Sequence, residues 1–181
     1  MSIIKHAYCI ILLVALGQYD GIAQSENSPQ PEAERLKEAA IEIMHDAGTC
    51  AFITLDEDGR PRVRAMDPFP PESDLTVWFG SNPKSRKITQ IENDPRVSIY
   101  YLDSDTSGYV MIYGQAEIID RAEEKSKHWK EEWKDFYPDY PDDYILIKVE
   151  PEWMEIVSPP RHITGDPETW EPDRVSFRSI D

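Results

Sequence analysis

Hydrophobic positions change period several times along this chain, and each change marks a new element. Leu36, Ala39, Ala40, Ile43 and Met44 recur at helical spacing, and Gly48 supplies a stop. "CAFITL" (Cys50 to Leu55) then reads as a strand. "DEDG" (Asp56 to Gly59) reads as a hairpin turn and "RVRAM" as the return strand. After the loop "PFPPESD" come three further strands, "LTVWFG" (Leu75 to Gly80), "RVSIYYL" (Arg96 to Leu102) and "GYVMIYGQAEIID" (Gly108 to Asp120). "RAEEKSKHWKEEWKDF" reads as one charged helix that places Trp129 and Trp133 on a shared face as packing residues. "YPDYPDD" reads as a solvated acidic loop, and "YILIKVEPEWMEIV" holds a sixth strand. Five or six short strands with few helices predict a mainly β fold, an antiparallel barrel with helices packed at its ends.

The ends of the chain stand apart from this pattern. Lys5 and His6 precede the apolar run Ala7 to Leu16, and small and polar residues follow. That is the layout of a secretory signal over residues 1–24, with cleavage expected near Ala23 or Gln24. The run is short for a bilayer span. The protein is therefore expected to be exported, periplasmic or secreted, with no membrane attachment after cleavage. Residues 25–32 read as a linker, 33–158 as the folded domain and 159–181 as an irregular tail.

Charge narrows the partners. The 181-residue chain carries −16 overall. Losing the signal removes one Lys and one Asp and leaves that value unchanged. Such a surface disfavours nucleic acid and anionic membranes. Cys50 would be the one cysteine left, so no intrachain disulfide forms, and its apolar strand marks it as core. His45, His128 and His162 show no metal-ligand spacing with one another or with Cys50, so no metal is expected. No Ser-His-Asp arrangement emerges.

Against this acidic background "GSNPKSRKITQI" gathers Lys84, Arg86 and Lys87 within four residues, close to Ser81 and Ser85. Pro83 suits a first helical residue and Asn82 an N-cap, which places the cations in the first two turns. Cations at that end oppose the helix dipole, at about 0.3–1 kcal/mol each. A bound phosphate would resolve the conflict, taking the free N–H groups, the Ser81 and Ser85 hydroxyls and the cations as ligands. A solvated helix offsetting an acidic surface is the competing reading. Arg60, Arg62 and Arg64 alternate, so in a strand they share a face that can turn toward the helix start.

The ordered set "DEDGRPRVRAM", "LTVWFGSNPKSRKITQIENDPRVSIYYL" and "VMIYGQAEII" resembles the pyridoxamine 5′-phosphate oxidase-like family of FMN-binding split barrels, closest to its general stress protein branch. The resemblance implies a six-stranded antiparallel split β-barrel, homodimeric, with FMN in a groove at the subunit interface. It matches Arg64 to a strand arginine on the flavin phosphate, Gly80 and Ser81 to positions beside the flavin, and Arg86 and Lys87 to a phosphate-binding pair. Three positions and one segment depart from the family oxidase. Phe69 stands where it has a Lys, Tyr109 where it has a Gln, and Val157 where a Trp is common. "RHITGD", with Arg161 and His162, is only a faint echo of its C-terminal substrate segment. The expected function is an FMN-dependent oxidoreductase acting on a small molecule, its substrate pocket bordered by Tyr109 and the tail. The alternative is a carrier that binds a flavin, a deazaflavin or haem without turnover.

Overall fold

The computed structural model describes residues 29–103 and 108–177. The expected signal segment, the first part of the linker and the last residues of the tail lie outside the described residues. Helix α1 (Pro29–Ala47) begins inside the expected linker, because proline is tolerated in a first helical turn. It buries Leu36, Ala40, Ile43 and Met44 against the barrel.

Strands β1 (Cys50–Leu55) and β2 (Pro61–Met66) form the expected hairpin, with Gly59 at φ 74° in its turn. β3 (Val77–Ser81), α2 (Arg86–Asn93), β4 (Arg96–Leu102) and β5 (Tyr109–Ile119) follow. Helix α3 is confined to Ala122–Lys127, and β6 spans Ile145–Val157. All pairings are antiparallel in the order β2-β1-β4-β5-β6-β3, and the bridge Pro68–Phe79 draws the end of β2 back onto β3. This is the expected mainly β split barrel, with a seventh strand added. The tail expected to be irregular supplies β7 (Asp173–Ser176), paired to β6 at Trp153–Ile156. There is room for it because β3 uses only Ile145–Val149 of the long β6.

The inner face is a continuous apolar core of residues such as Phe52, Ile99, Ile112, Ile147 and Met154, each fully buried. Cys50 lies in this core, and burial pushes its thiol up to about 12. The outer face of β1, β2, β4 and β5 is also rich in apolar groups. Ile53 and Leu55 are only partly covered there, beside Tyr100 and Tyr113, and Val63 is 65% exposed.

The charged helix expected around α3 departs most from expectation. The 3₁₀ turn Glu131–Trp133 and a series of tight turns replace its second half. Trp129 and Trp133 do pack as expected, both against one buried ring, Tyr144, at centroid distances of 5.3 and 6.2 Å. Burial of the aromatic group thus overrides the helical spacing of the segment.

Two measurements follow. A Cβ on Gly114, where β5 shifts register against β6, would fall within contact distance of the Glu150 carbonyl and 3.1 Å from Pro151 Cα. Gly114→Ala is therefore expected to cost about 1–3 kcal/mol in urea denaturation. Cys50 is expected to resist a thiol reagent at pH 8 in the folded protein and to react fully in denaturant; reaction at the free-thiol rate without denaturant would contradict its placement.

Candidate anion and small-ligand site

Three elements converge on the spot singled out by its charge. β3 ends at Ser81, a turn follows, and α2 begins at Arg86. The helix starts later than expected. Asn82 is not its N-cap and Pro83 is not helical. Asn82 Oδ1 accepts the Lys84 N–H at 2.9 Å and its carbonyl accepts the Ser85 N–H at 3.0 Å, closing an Asn-Pro turn. Ser85 takes the N-cap position in extended conformation without capping through its side chain. Its hydroxyl is occupied elsewhere, 3.0 Å from Ser81 Oγ and 3.2 Å from Lys87 Nζ, which donates to it. The shift strengthens the electrostatic argument. Arg86 and Lys87 become the first two helical residues, where the backbone N–H groups lack helical acceptors. Lys84 is left exposed outside the helix.

Lys87 also donates to Ser81 Oγ at 3.0 Å, and Ser81 is only 2% exposed. Arg64 reaches the same corner from β2. It donates to the Phe52 carbonyl and to Gln90 Oε1, both at 3.1 Å, and Gln90 also accepts the Thr54 hydroxyl at 2.6 Å. Thus β1 and α2 fix the guanidinium together. Burial, then the neighbouring Arg86, lowers the Arg64 pKa; burial, then Arg64, lowers that of Lys87. Among the described residues none of Arg64, Arg86 and Lys87 has a carboxylate within ion-pair distance. Other arginines of the expected face are engaged: Arg60 pairs with Asp58, and Arg62 with Asp56, both at 2.8 Å.

A cleft of about 410 Å³ opens beside this corner. One end is lined by Ser81, Asn82, Ser85 and Lys87, the floor by Ala65, Met66, Asp67 and Gly80, and the far wall by Trp133, Phe136 and Tyr137. The structure therefore brings Arg64, Gly80, Ser81, Ser85 and Lys87 to one place. Arg86 is near enough to act on Arg64 but is exposed and lines a neighbouring groove with Asp56, Glu57 and Arg62. Tyr109 is not brought in. It stacks on Tyr100 at 5.2 Å and donates to Glu155 Oε1 at 3.0 Å on the outer sheet face. Nor does the Arg161–His162 segment reach the cleft. Arg161 binds Asp103 at 3.2 Å and Glu42 at 3.3 Å, tying the tail to α1 and the end of β4. Val157 lies opposite Tyr109 on β6.

The far wall was missed. Its residues lie in "WKDFY", where Trp133, four positions after Trp129, matched a helix. A clue was the density of aromatic residues between Trp129 and Tyr144. Phe69 joins that group, edge-on to Trp133 at 5.4 Å and to His128 at 5.2 Å.

Fold and site define a split barrel with a cation-lined corner beside a partly aromatic cleft. A family model described as "Pyridoxamine 5'-phosphate oxidase like" matches residues 35–156, and the chain belongs to that family. General stress protein 26 from Bacillus anthracis str. Sterne is 25% identical, with 79% of this chain and 99% of that one covered at a TM-score of 0.62. A Clostridium acetobutylicum protein related to general stress protein 26 of B. subtilis is 18% identical, with 80% and 96% covered and a TM-score of 0.66. A pyridoxamine 5'-phosphate oxidase-related, FMN binding protein from Nostoc punctiforme PCC 73102 is 16% identical, with 85% and 99% covered and a TM-score of 0.54. The last two show likeness of fold. No curated protein matches the chain.

The electrostatics carry a sign. Both lowered pKa values mean that the fold disfavours the charged forms. For Lys87 this destabilisation is present below its folded-state pKa and is relieved as pH rises through it. Lys87→Met is therefore expected to raise the Tm of the ligand-free protein slightly, the gain being limited by solvent screening of this half-exposed amine. Inorganic phosphate should raise the wild-type Tm more than chloride of equal ionic strength, and the variant should lose that difference. A wild type indifferent to phosphate would count against the anion site.

Proposed function

We propose that the protein binds FMN in this cleft and serves, as a homodimer, as a flavin-dependent oxidoreductase on a small molecule. The observation that carries the reading is a pair of neighbouring half-buried cations, Lys87 held by the Ser81 and Ser85 hydroxyls and Arg64 by Gln90 and the Phe52 carbonyl, neither with a carboxylate partner among the described residues. A phosphate monoester fits those donors: charge-assisted bonds from both cations, hydroxyl bonds from both serines, and the N-terminus of α2. The aromatic far wall suits a planar ring. FMN would supply the redox chemistry. The chain's own groups orient the ligand, exclude water from its phosphate and neutralise its charge.

The homodimer is supported by the uncovered apolar groups on the outer face of β1, β2, β4 and β5, since soluble monomers rarely leave a large patch of this kind exposed. Export rests on the signal-like residues 1–24, and amino-terminal sequencing of protein from the cell envelope or medium should begin near Ser25. A flavin carrier is the second reading. It is favoured by Asp67, the carboxylate lining the cleft, being engaged with Lys130 at 2.7 Å and so poorly placed for proton transfer.

The test is an FMN titration followed by absorbance. Arg64→Ala is expected to raise the FMN Kd about 10- to 150-fold, as loss of a charge-assisted contact of about 1.5–3 kcal/mol implies. Arg86→Ala, at an exposed position, is expected to raise it about fivefold or less. Bleaching of bound flavin by NADH or NADPH, with recovery in air, supports the oxidoreductase; tight binding without bleaching supports the carrier. Refusal of FMN by the wild type would sink both. Val63→Asp is expected to shift sedimentation from dimer to monomer without unfolding, because Val63 makes little contact within its own chain.

A further inference from the structure

Every aromatic residue lining the cleft comes from one irregular strap, residues 128–144, and none from the barrel strands. The strap is pinned to the barrel by contacts independent of any ligand. Lys130 Nζ donates to Asp67 Oδ1 at 2.7 Å and to the Pro68 carbonyl at 3.0 Å, and lies 4.8 Å from the Trp133 ring centroid. Tyr144 donates its hydroxyl to the His128 carbonyl, so the two ends of the strap are joined. Gly80 admits the strap: a Cβ there would collide with Trp133 Cζ3 and stand 2.6 Å from Tyr144 Cε2. The missing side chain of Gly80 is thus filled by the protein itself. Beyond this seam Trp133 and Tyr137 are only partly covered, and Phe136 is 76% exposed at the cleft mouth.

We infer that Trp133, Phe136 and Tyr137 form a stacking wall that selects a planar aromatic headgroup on the phosphate ester held by Lys87, Ser81 and Ser85. This rests on the proposed ligand reading and adds which segment recognises the ring. A bare phosphate or sugar phosphate would satisfy the polar end and leave Phe136 in water. A ligand with a ring system long enough to reach the far wall covers it. Aromatic faces favour stacked or edge contacts with another π-system, beyond what simple burial gives. Selectivity for the ring is therefore set by the strap, and affinity for the phosphate by β2, β3 and α2.

The two halves can be separated in solution. Full-length wild type, Phe136→Ala and Trp133→Leu are titrated with FMN by fluorescence, and each is then competed with ribose 5-phosphate, which has no ring. Phe136 is so exposed that its replacement should leave circular dichroism and Tm unchanged. It is expected to weaken FMN about three- to tenfold and to leave ribose 5-phosphate competition as in wild type. Trp133→Leu should relieve quenching of the bound flavin. Lys87→Ala should instead weaken both ligands together. If the wild type binds FMN but Phe136→Ala leaves its affinity unchanged and Trp133→Leu leaves its quenching unchanged, the strap inference falls and the ligand reading stands. Equal loss of both ligands in Phe136→Ala, or dissociation of a dimer with FMN affinity intact, also overturns it, by making Phe136 structural or a subunit contact. A wild type that takes no FMN removes the ligand reading and the strap inference with it.

Discussion

Two desolvated cations set the terms for the rest of this molecule. Arg64 and Lys87 each disfavour their own charge through burial and through proximity to further positive charge, yet the fold holds them together. Flexible surface side chains would swing apart into water. Here Gln90, the Phe52 carbonyl and the two serine hydroxyls restrain them. Those restraints in turn require α2 to begin at the end of β3 and β2 to lie alongside β1. A group that destabilises its own fold while being carefully positioned is a common mark of a binding site.

The aromatic strap has a complementary logic. Its residues are too large and too few in regular spacing to form an independent element, so they gather on Tyr144, a single ring rising from the start of β6. Gly80 permits the close approach, and Phe69 occupies the remaining flank of Trp133. Phe69 was first notable as a departure from the family oxidase, which has a Lys there. In place, it is a packing partner of the strap. Phe69 and the aromatic run some sixty residues later thus form one packed group, with the Lys130 amine lying over the Phe69 and Trp133 rings.

The same comparison shows what could be read in advance. β1, β4 and β5 were legible because each has alternating or continuous apolar character bounded by turn residues. β4 was found with its ends in place. β7 was not legible, because Asp173–Ser176 buries one apolar side chain, Val175, and its pairing depends on space left by β3 on the far end of β6. Arg64 could be placed on a face with Arg62. The hairpin's own Asp56 then claims Arg62, a contact that alternation cannot reveal. Asn82-Pro83 fits either a helix cap or a turn, and the turn prevails because Asn82 Oδ1 can close onto Lys84 N–H locally. Anion chemistry was thus visible in residue types, whereas the aromatic wall depended on a contact between Gly80 and Trp133 that no local pattern encodes.

Charge also bears on the size of ligand that the proposed site would accept. The chain carries −16, so any anion approaching from solution meets an unfavourable field. At physiological ionic strength that field is screened over about 8 Å. A polyanion such as a nucleic acid leaves most of its phosphates outside the cleft, against the acidic surface, and gains from the corner at only one of them. A phosphate monoester on a single ring places its charge at Lys87 and an uncharged body against the strap. The acidic surface opposes the polymer in proportion to its length but opposes the small ester once, at entry. An acidic exterior around a positive recess is therefore an argument for the proposed small phosphorylated ligand over an extended one.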